Sequence, residues 1–296
     1  MRHTFYLVLS VLALSSAACS IDVRGEGSVA REEKRFTVTG DPDLSIRTFD
    51  GSITVKSWDR KEVLVEIERR GADTQAADAL VVNAMQEGNR IVVDAPDPNI
   101  RRDGIHFGSW QSPSVNVTVT APRRLTIEAR SGDGSITADD LAGTIALNTG
   151  DGSIRATRIE GNIKAHTGDG SIQFIDVVGR LEADSGDGSV DVGGRLDALD
   201  VRTGDGSVRI DVRDGSTVKS DWSVGTGDGS ISVRMPPALD AELDAYTSDG
   251  RVHADGISDA VRSGDEDDHG SLRGRLGKGG KVIRIRSGDG SINLSR

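Results

Sequence analysis

The stretch Gly150-Asp151-Gly152-Ser153-Ile154 decides the fold, because its first four residues return at a fixed spacing along the chain. Five copies of Gly-Asp-Gly-Ser stand 18 residues apart without a slip, beginning at Gly132, Gly150, Gly168, Gly186 and Gly204. Further full or degenerate copies begin at Phe49, Gly227, Ser248 and Gly288. Such a period indicates a repeat protein whose units stack on their neighbours. The sequence therefore predicts a pile of near-identical coils, in which no single motif copy is an active site.

Between the motifs, apolar and polar residues alternate with the period of two that is typical of β-strands. Counted from each motif Asp, apolar residues recur at the third, fifth, eighth, twelfth and fourteenth positions. In the coil after Asp133 these are Ile136, Ala138, Leu141, Ile145 and Leu147. No proline occurs between Pro122 and Pro236, as expected where backbone N–H groups donate to a ladder. We therefore predict an all-β fold in which residues 123–296 form a right-handed parallel β-solenoid with two strands per 18-residue coil.

The rhythm is looser at both ends of the chain. Residues 35–122 are predicted to form a less regular β-rich N-terminal cap that protects the end of the stack from edge pairing. Strands are expected at 35–39, 44–48, 52–56, 62–69, 80–86 and 90–95 and around 115–119, with a short helix at 73–79 and a hairpin turn at Glu87-Gly88-Asn89. After Gly206, extra residues that include Trp222 predict protruding loops. The apolar residues from Val282 to Leu294 predict the last coil.

The motif itself has a backbone explanation and a competing one. A tight turn needs positive φ, which glycine tolerates, while Asp and Ser side chains bind nearby amides. The alternative is calcium, because the motif aspartates would form a ladder of carboxylates one strand spacing apart. Calcium-binding nonapeptide repeats have a different signature, Gly-Gly-x-Gly-x-Asp. We therefore assign no metal ligand and no cofactor, and keep a calcium-stabilised exoprotein as a distant alternative.

The N-terminus predicts export. Arg2 and His3 precede an apolar run from Phe5 to Leu14, which is too short to span a bilayer and is typical of a signal peptide over residues 1–18. Ala17-Ala18-Cys19 resembles a lipobox, so Cys19 is the predicted lipid attachment site. Ser16-Ala17-Ala18 also suits ordinary signal peptidase, which would release a periplasmic or secreted protein. Residues 19–34 are small, polar and charged, and predict a tether from the membrane to the folded part.

The composition excludes nucleic acid as a partner and an intramolecular disulfide bond. The formal net charge is −11, and the basic residues form no stripe free of interleaved acids, so nucleic acid is excluded as a partner. A single cysteine allows no intramolecular disulfide, so stacking must supply the stability.

No catalytic constellation is visible. His106, His166, His253 and His269 are scattered, and the motif serines do not form a Gly-x-Ser-x-Gly elbow. The acidic run 265–269 is interpreted as a solvated loop. We therefore expect a protein that is not an enzyme.

The stretch Ser45–Asp59, the Gly-Asp-Gly-Ser-Ile coils and the closing Arg286–Ile292 resemble a family of bacterial envelope proteins with a domain of unknown function that is provisionally named an adhesin. The similarity runs from about residue 36 to the end. It implies a β-solenoid, export or membrane attachment, and no catalytic residues.

Together these observations predict a non-catalytic, exported envelope lipoprotein whose solenoid faces form an adhesin-like interaction surface. The expected partner is an envelope protein or a surface glycan, and the expected location is the outer membrane or cell envelope, anchored through Cys19. The alternative is a periplasmic structural or signalling module that binds a partner protein.

Overall fold

The computed structural model describes residues 19–22, 28–98, 112–257, 260–261 and 270–296. Within them β-strands are the main element, with one short α-helix, α1 (Thr74–Asp78). The strands are β1 (Cys19–Asp22), β2 (Ser28–Thr37), β3 (Asp43–Thr48), β4 (Ile53–Trp58), β5 (Glu62–Gly71), β6 (Asn83–Glu87), β7 (Arg90–Ala95), β8 (Ser114–Pro122), β9 (Arg124–Ser131), β10 (Ile136–Thr149), β11 (Ile154–Thr167), β12 (Ile172–Ser185), β13 (Val190–Thr203), β14 (Val208–Val212), β15 (Trp222–Thr226), β16 (Ile231–Arg234), β17 (Ala241–Thr247), β18 (Val252–Asp255), β19 (Ala260–Val261), β20 (Ser271–Leu276), β21 (Val282–Ser287) and β22 (Ile292–Ser295). The predicted short helix and the turn between β6 and β7 are confirmed.

The middle of the molecule is a parallel stack with a strict register. Every residue of β10 except Asp140 pairs with the residue 18 positions later in β11, as Ile136 does with Ile154 and Ile145 with Ile163. The first part of β10 also pairs with β4, whereas its second part pairs with β9. Strand β10 therefore bends near its middle and contributes to two sheets, here called the first-half sheet and the second-half sheet. The all-β, solenoid-like expectation is confirmed.

The interior is a continuous apolar core shared by the two sheets. All five apolar positions predicted for the first coil, Ile136, Ala138, Leu141, Ile145 and Leu147, are no more than 1 % exposed. The equivalent positions of the next two coils are also buried. In the coil after Asp187 the eighth position is Arg195, which is exposed, and the neighbouring Leu196 is buried instead. Successive side chains of a strand point to opposite faces, so the apolar residues point into this interior. The polar residues that alternate with them face the solvent.

The motif glycines have a different role from the predicted one. No glycine of a full Gly-Asp-Gly-Ser copy has positive φ. Among the degenerate copies, Gly51 alone has it. The full copies need glycine because successive coils nearly touch there. A Cβ on Gly152 would lie 2.3 Å from the carbonyl oxygen of Gly134, and the N–H of Gly150 donates to Gly132 O at 2.5 Å. Positive φ occurs instead at the opposite bend, at Asp140, Arg158 and Asp176.

At the N-terminal end, the order of strands in space departs from their order in the chain. Strands β3 and β4 lie between β7 and β8 on one side and β9 and β10 on the other. They are thus a full member of the stack and not part of an irregular cap. The antiparallel strands β1, β2 and β5 then extend the first-half sheet beyond β8. The predicted tether over residues 19–34 is wrong at both ends, because Cys19–Asp22 form β1 against β2 and Ser28 already pairs with Gly71.

The C-terminal end shows the same interleaving. Strands β21 and β22 insert between the pair β15 and β16 and the pair β17 and β18. The prediction that they form the last coil is therefore wrong: β17 and β18 lie beyond them, and β20 pairs antiparallel with β17. Trp222 does not lie in a protruding loop. It is 1 % exposed and begins β15.

Candidate functional site

A ladder of buried hydroxyl groups holds the motif edge together. The residue before each full motif is a serine or threonine, namely Ser131, Thr149, Thr167, Ser185, Thr203, Thr226 and Ser287, and all are buried. Thr167 Oγ1 donates to the carbonyl of Gly152 in the preceding coil at 2.8 Å and accepts from the N–H of Gly170 in its own turn at 3.2 Å. Sequence reasoning missed these hydroxyls, although their constant position before the motif was visible. The motif is thus a structural corner.

The motif aspartates line the same edge and face the solvent. Asp133, Asp151, Asp169, Asp187, Asp205, Asp228 and Asp289 are all exposed. Within the described residues, no group of three or more His, Cys, Asp or Glu side chains is arranged to hold a metal ion. The edge therefore has a row of solvent-exposed carboxylates, one from each full copy of the motif.

The two outer faces of the stack carry charged side chains that pair between neighbouring coils. On the second-half sheet, Lys164 Nζ lies 2.7 Å from Glu182, and His166 Nδ1 lies 3.2 Å from Asp184. His166 is exposed, as its outward position predicted. Exposed pairs of this kind contribute about 0–1 kcal/mol each. They make this face of the stack polar.

The bend opposite the motif, here called the bend edge, is held by charged side chains. Asp140 has a φ of 54°, a conformation that Asp tolerates better than most residues. Its carboxylate accepts from Ser57 Oγ at 2.6 Å and from Arg123 Nε at 3.0 Å. These two hydrogen bonds, with the charge of the guanidinium, lower the pKa of Asp140 from its ordinary value. Arg123 also contacts Glu160 at 3.3 Å, so its guanidinium links two successive coils.

Further along the bend edge the stack opens into a groove of about 670 Å³. It lies where the chain leaves the coils after β14 and again after β16. Its lining includes Arg195, Arg213, Arg234 and Arg296, and the buried side chains of Val177, Val212 and Met235 lie beneath it.

Several predicted site residues fall at the margins of the structure. Cys19 is the first residue of β1, which pairs antiparallel with β2. The signal peptide, His106, His269 and the acidic run 265–269 lie outside the described residues. Of the described histidines, His166 and His253 are exposed on different sheets, so the structure brings them into no common site. In the described ranges, no helix is long and apolar enough to cross a bilayer.

The sequence model of the Toastrack DUF4097 family matches residues 42–295, which is most of the chain. The chain belongs to this family. The resemblance to envelope proteins with a domain of unknown function, provisionally named an adhesin, is thereby confirmed. No curated protein matches the chain.

The chain is similar to several solved structures at low sequence identity. A provisionally named lipid binding protein from Parabacteroides distasonis is 15% identical, with 90% of this chain and 97% of that chain covered and a TM-score of 0.45. A provisionally named adhesin from Bacteroides fragilis is 11% identical, with 89% and 96% covered and a TM-score of 0.37. A provisionally named cell adhesion protein from Clostridium sporogenes is 13% identical, with 90% and 98% covered and a TM-score of 0.31.

Proposed function

We propose that this chain is a non-catalytic, exported envelope lipoprotein that presents a rigid β-solenoid as an adhesin-like binding surface. The observation that supports this best is the constant 18-residue register from β9 to β12, which repeats the same outward-facing positions from one coil to the next. At about 4.8 Å per coil the parallel stack extends on the order of 40 Å, a length suited to contact with a protein or a glycan chain. The coils wind right-handed with two strands each.

Cys19 is the proposed lipid attachment site that holds the surface at the membrane. Cleavage before Cys19 removes residues 1–18 and makes this residue the new N-terminus. Cys19 is itself the first residue of β1 and pairs with Glu32 of β2, so the proposed anchor leaves the folded part close to the membrane.

The anchor is tested by fractionating cells that produce the natural chain and the Cys19→Ser variant. The natural chain is expected in the membrane fraction, with an N-terminal peptide whose mass includes acyl chains. The variant is expected in the soluble fraction. A natural chain that is soluble and unmodified contradicts lipidation and leaves ordinary secretion or periplasmic release.

The adhesin-like role requires the stack to lie on the outside of the cell, whereas a periplasmic module lies behind the outer membrane. The location of the stack therefore distinguishes the two roles. Protease added to intact cells is expected to cleave a displayed stack, with a periplasmic marker protein as the protected control. Protection in intact cells followed by cleavage in lysed cells overturns the adhesin-like role and favours a periplasmic module that binds a partner protein.

A further inference from the structure

Asp-Gly sequences recur throughout this chain, and each is a place where the backbone can rearrange chemically. The glycine nitrogen attacks the side-chain carboxyl carbon of the aspartate; a C–N bond forms, and the carboxyl hydroxyl leaves as water with the proton of the nitrogen. The product is a five-membered succinimide ring. Water then opens the ring at either carbonyl, which gives aspartate again or isoaspartate, in which the main chain runs through the side-chain carbons. Glycine favours the attack because it has no Cβ to shield its nitrogen.

In most copies of the motif, this nitrogen is already bonded to the buried hydroxyl that precedes the motif. The N–H of Gly170 donates to Thr167 Oγ1 at 3.2 Å, and the N–H of Gly188 donates to Ser185 Oγ at 3.0 Å. Five of the seven full copies have this hydrogen bond, at Gly134, Gly170, Gly188, Gly229 and Gly290. An N–H that points at a hydroxyl points its nitrogen away from the attack on its own aspartate.

Close packing restrains the remaining glycines of the motif rows. The nitrogens of Gly51, Gly152, Gly206 and Gly250 form no hydrogen bond with a described residue. On each of these glycines, however, a Cβ would lie 2.1–2.4 Å from a carbonyl oxygen of the adjoining row. Ring closure turns the peptide plane between aspartate and glycine, and the neighbouring backbone leaves no space for that turn.

Two described Asp-Gly bonds lie outside the motif and lack both restraints. Asp214-Gly215 lies in the turn after β14, and Asp255-Gly256 follows the end of β18. All four residues are exposed. Neither glycine nitrogen donates a hydrogen bond to a described residue. A Cβ on either glycine would meet only the side chain of an arginine, at 3.4 Å in both cases.

We propose that Asp214 and Asp255 are sites of spontaneous isoaspartate formation in the folded chain, and that the stacked corners protect the motif aspartates from the same reaction. At Asp255 the modification converts the carbonyl that accepts from the N–H of Arg296 at 3.2 Å into a free carboxylate. The buried hydroxyls thus have a chemical role besides their structural one. A chain built on Asp-Gly corners keeps those corners unmodified as long as they stay stacked.

The purified chain is incubated at neutral pH in its folded state and, in parallel, in urea. A tryptic digest places Asp169, Asp187, Asp214 and Asp255 in four different peptides. Enzymatic methylation quantifies isoaspartate in each peptide, and fragment ions locate it. In the folded chain we expect isoaspartate at Asp214 and Asp255 and at least about tenfold less at the motif aspartates, because reaction there first needs local opening of the corner.

In urea all four aspartates are expected to react at similar rates. The proposal is overturned if the motif aspartates of the folded chain react as fast as Asp214, or if Asp214 and Asp255 stay unmodified in the folded chain while the chain in urea reacts.

Thr167→Val tests the hydroxyl, because it frees the nitrogen of Gly170. Isoaspartate is expected to rise at Asp169 and not at Asp187, whose glycine keeps its hydrogen bond to Ser185. The matched controls are Thr167→Ser, which keeps a hydroxyl, and Thr137→Val at an exposed threonine; neither should raise isoaspartate. No rise at Asp169, or an equal rise at Asp187 through general loss of stability, overturns the protecting role of the hydroxyl.

Discussion

At the scale of single residues, the hydroxyl group before each motif stabilises the corner through its hydrogen bonds. A side chain of the same shape without a hydroxyl cannot form them. Thr167 is fully buried and joins a carbonyl of the preceding coil to an N–H of its own turn. Backbone groups that are buried without a partner destabilise a fold, so this hydroxyl matters although it contributes little apolar contact.

We expect Thr167→Val to lower the free energy of unfolding by about 1–3 kcal/mol, because valine keeps the shape of threonine but leaves the carbonyl of Gly152 and the N–H of Gly170 without the hydroxyl. Urea denaturation measures the change. The matched control is Thr137→Val, an exposed threonine of β10, with an expected change within about 0.5 kcal/mol. Equal effects at the two positions would contradict the role of the hydroxyl ladder.

Asp140 predicts an acid dependence of stability. Its pKa in the folded chain is below the ordinary value of 3.8, because Ser57 and then Arg123 bind the carboxylate. The stabilisation is therefore present above about pH 4 and is lost as the pH falls through the folded pKa. The side chain is 41% exposed, so the expected loss is below about 1 kcal/mol.

Comparison of urea midpoints at neutral and acidic pH tests this dependence. Asp140→Asn, which also accepts the positive φ, is expected to show a smaller change between the two pH values than the natural chain. Asp133→Asn, at an exposed motif aspartate, is the control and should keep the natural dependence. If both variants behave alike, the contacts of Asp140 do not carry the effect.

At the scale of the elements, the distance between coils is set by the second glycine of each motif. A Cβ on Gly170 would lie 2.1 Å from the carbonyl oxygen of Gly152, and a backbone oxygen within a ladder cannot move aside. We expect Gly170→Ala to destabilise the chain by about 1–3 kcal/mol or more, since overpacking forces the backbone to shift.

The control for this prediction is Gly225→Ala in β15. There the nearest atom to the added Cβ is Arg286 O at 3.9 Å, an ordinary contact, and φ is not positive. Alanine should be neutral or slightly stabilising at Gly225, because it restricts the unfolded chain. Thermal melting of the two variants compares them directly, and a similar loss at both sites would contradict the close-approach argument.

The positions of the strands could be predicted from the sequence better than the pairing of each strand with its neighbours. The apolar period gave the buried positions of β10 and its successors, and the strand pattern gave β3, β4 and β7, because these signals are local. The predicted role of the motif glycines was wrong, because the contact that requires glycine is made with the backbone of the neighbouring coil, and a local pattern does not contain that contact. The groove was missed for the same reason: Arg195, Arg213 and Arg234 are far apart in sequence, and stacking brings them together.

At the scale of the whole molecule, one repeat should be removable whereas the interleaved strands should not. Deleting residues 154–171 joins Ser153 to Ile172 and preserves the register, because Ile154 and Ile172 are equivalent positions. We expect this chain to fold with a shorter stack. Deleting residues 282–296 removes β21 and β22 and separates β17 and β18 from the stack, so the C-terminal part beyond β16 should become sensitive to protease.

Limited proteolysis followed by mass measurement of the fragments distinguishes the two deletions. Protection of β17 and β18 in the chain that lacks residues 282–296 would show that they can stack without the inserted pair. Loss of structure throughout the chain that lacks residues 154–171 would show that the coils are not interchangeable.

The interleaving of β21 and β22 also sets a schedule for folding. A chain that emerges from its N-terminus delivers β17 and β18 before their future neighbours exist, so those strands must wait with an open slot beside β15 and β16. The slot closes only when β21 and β22 arrive, after a loop of tens of residues has formed at an entropic cost that grows slowly with length. Folding at this end is thus completed only by the last residues of the chain, and until then β17 and β18 keep unpaired edges that another strand can bind.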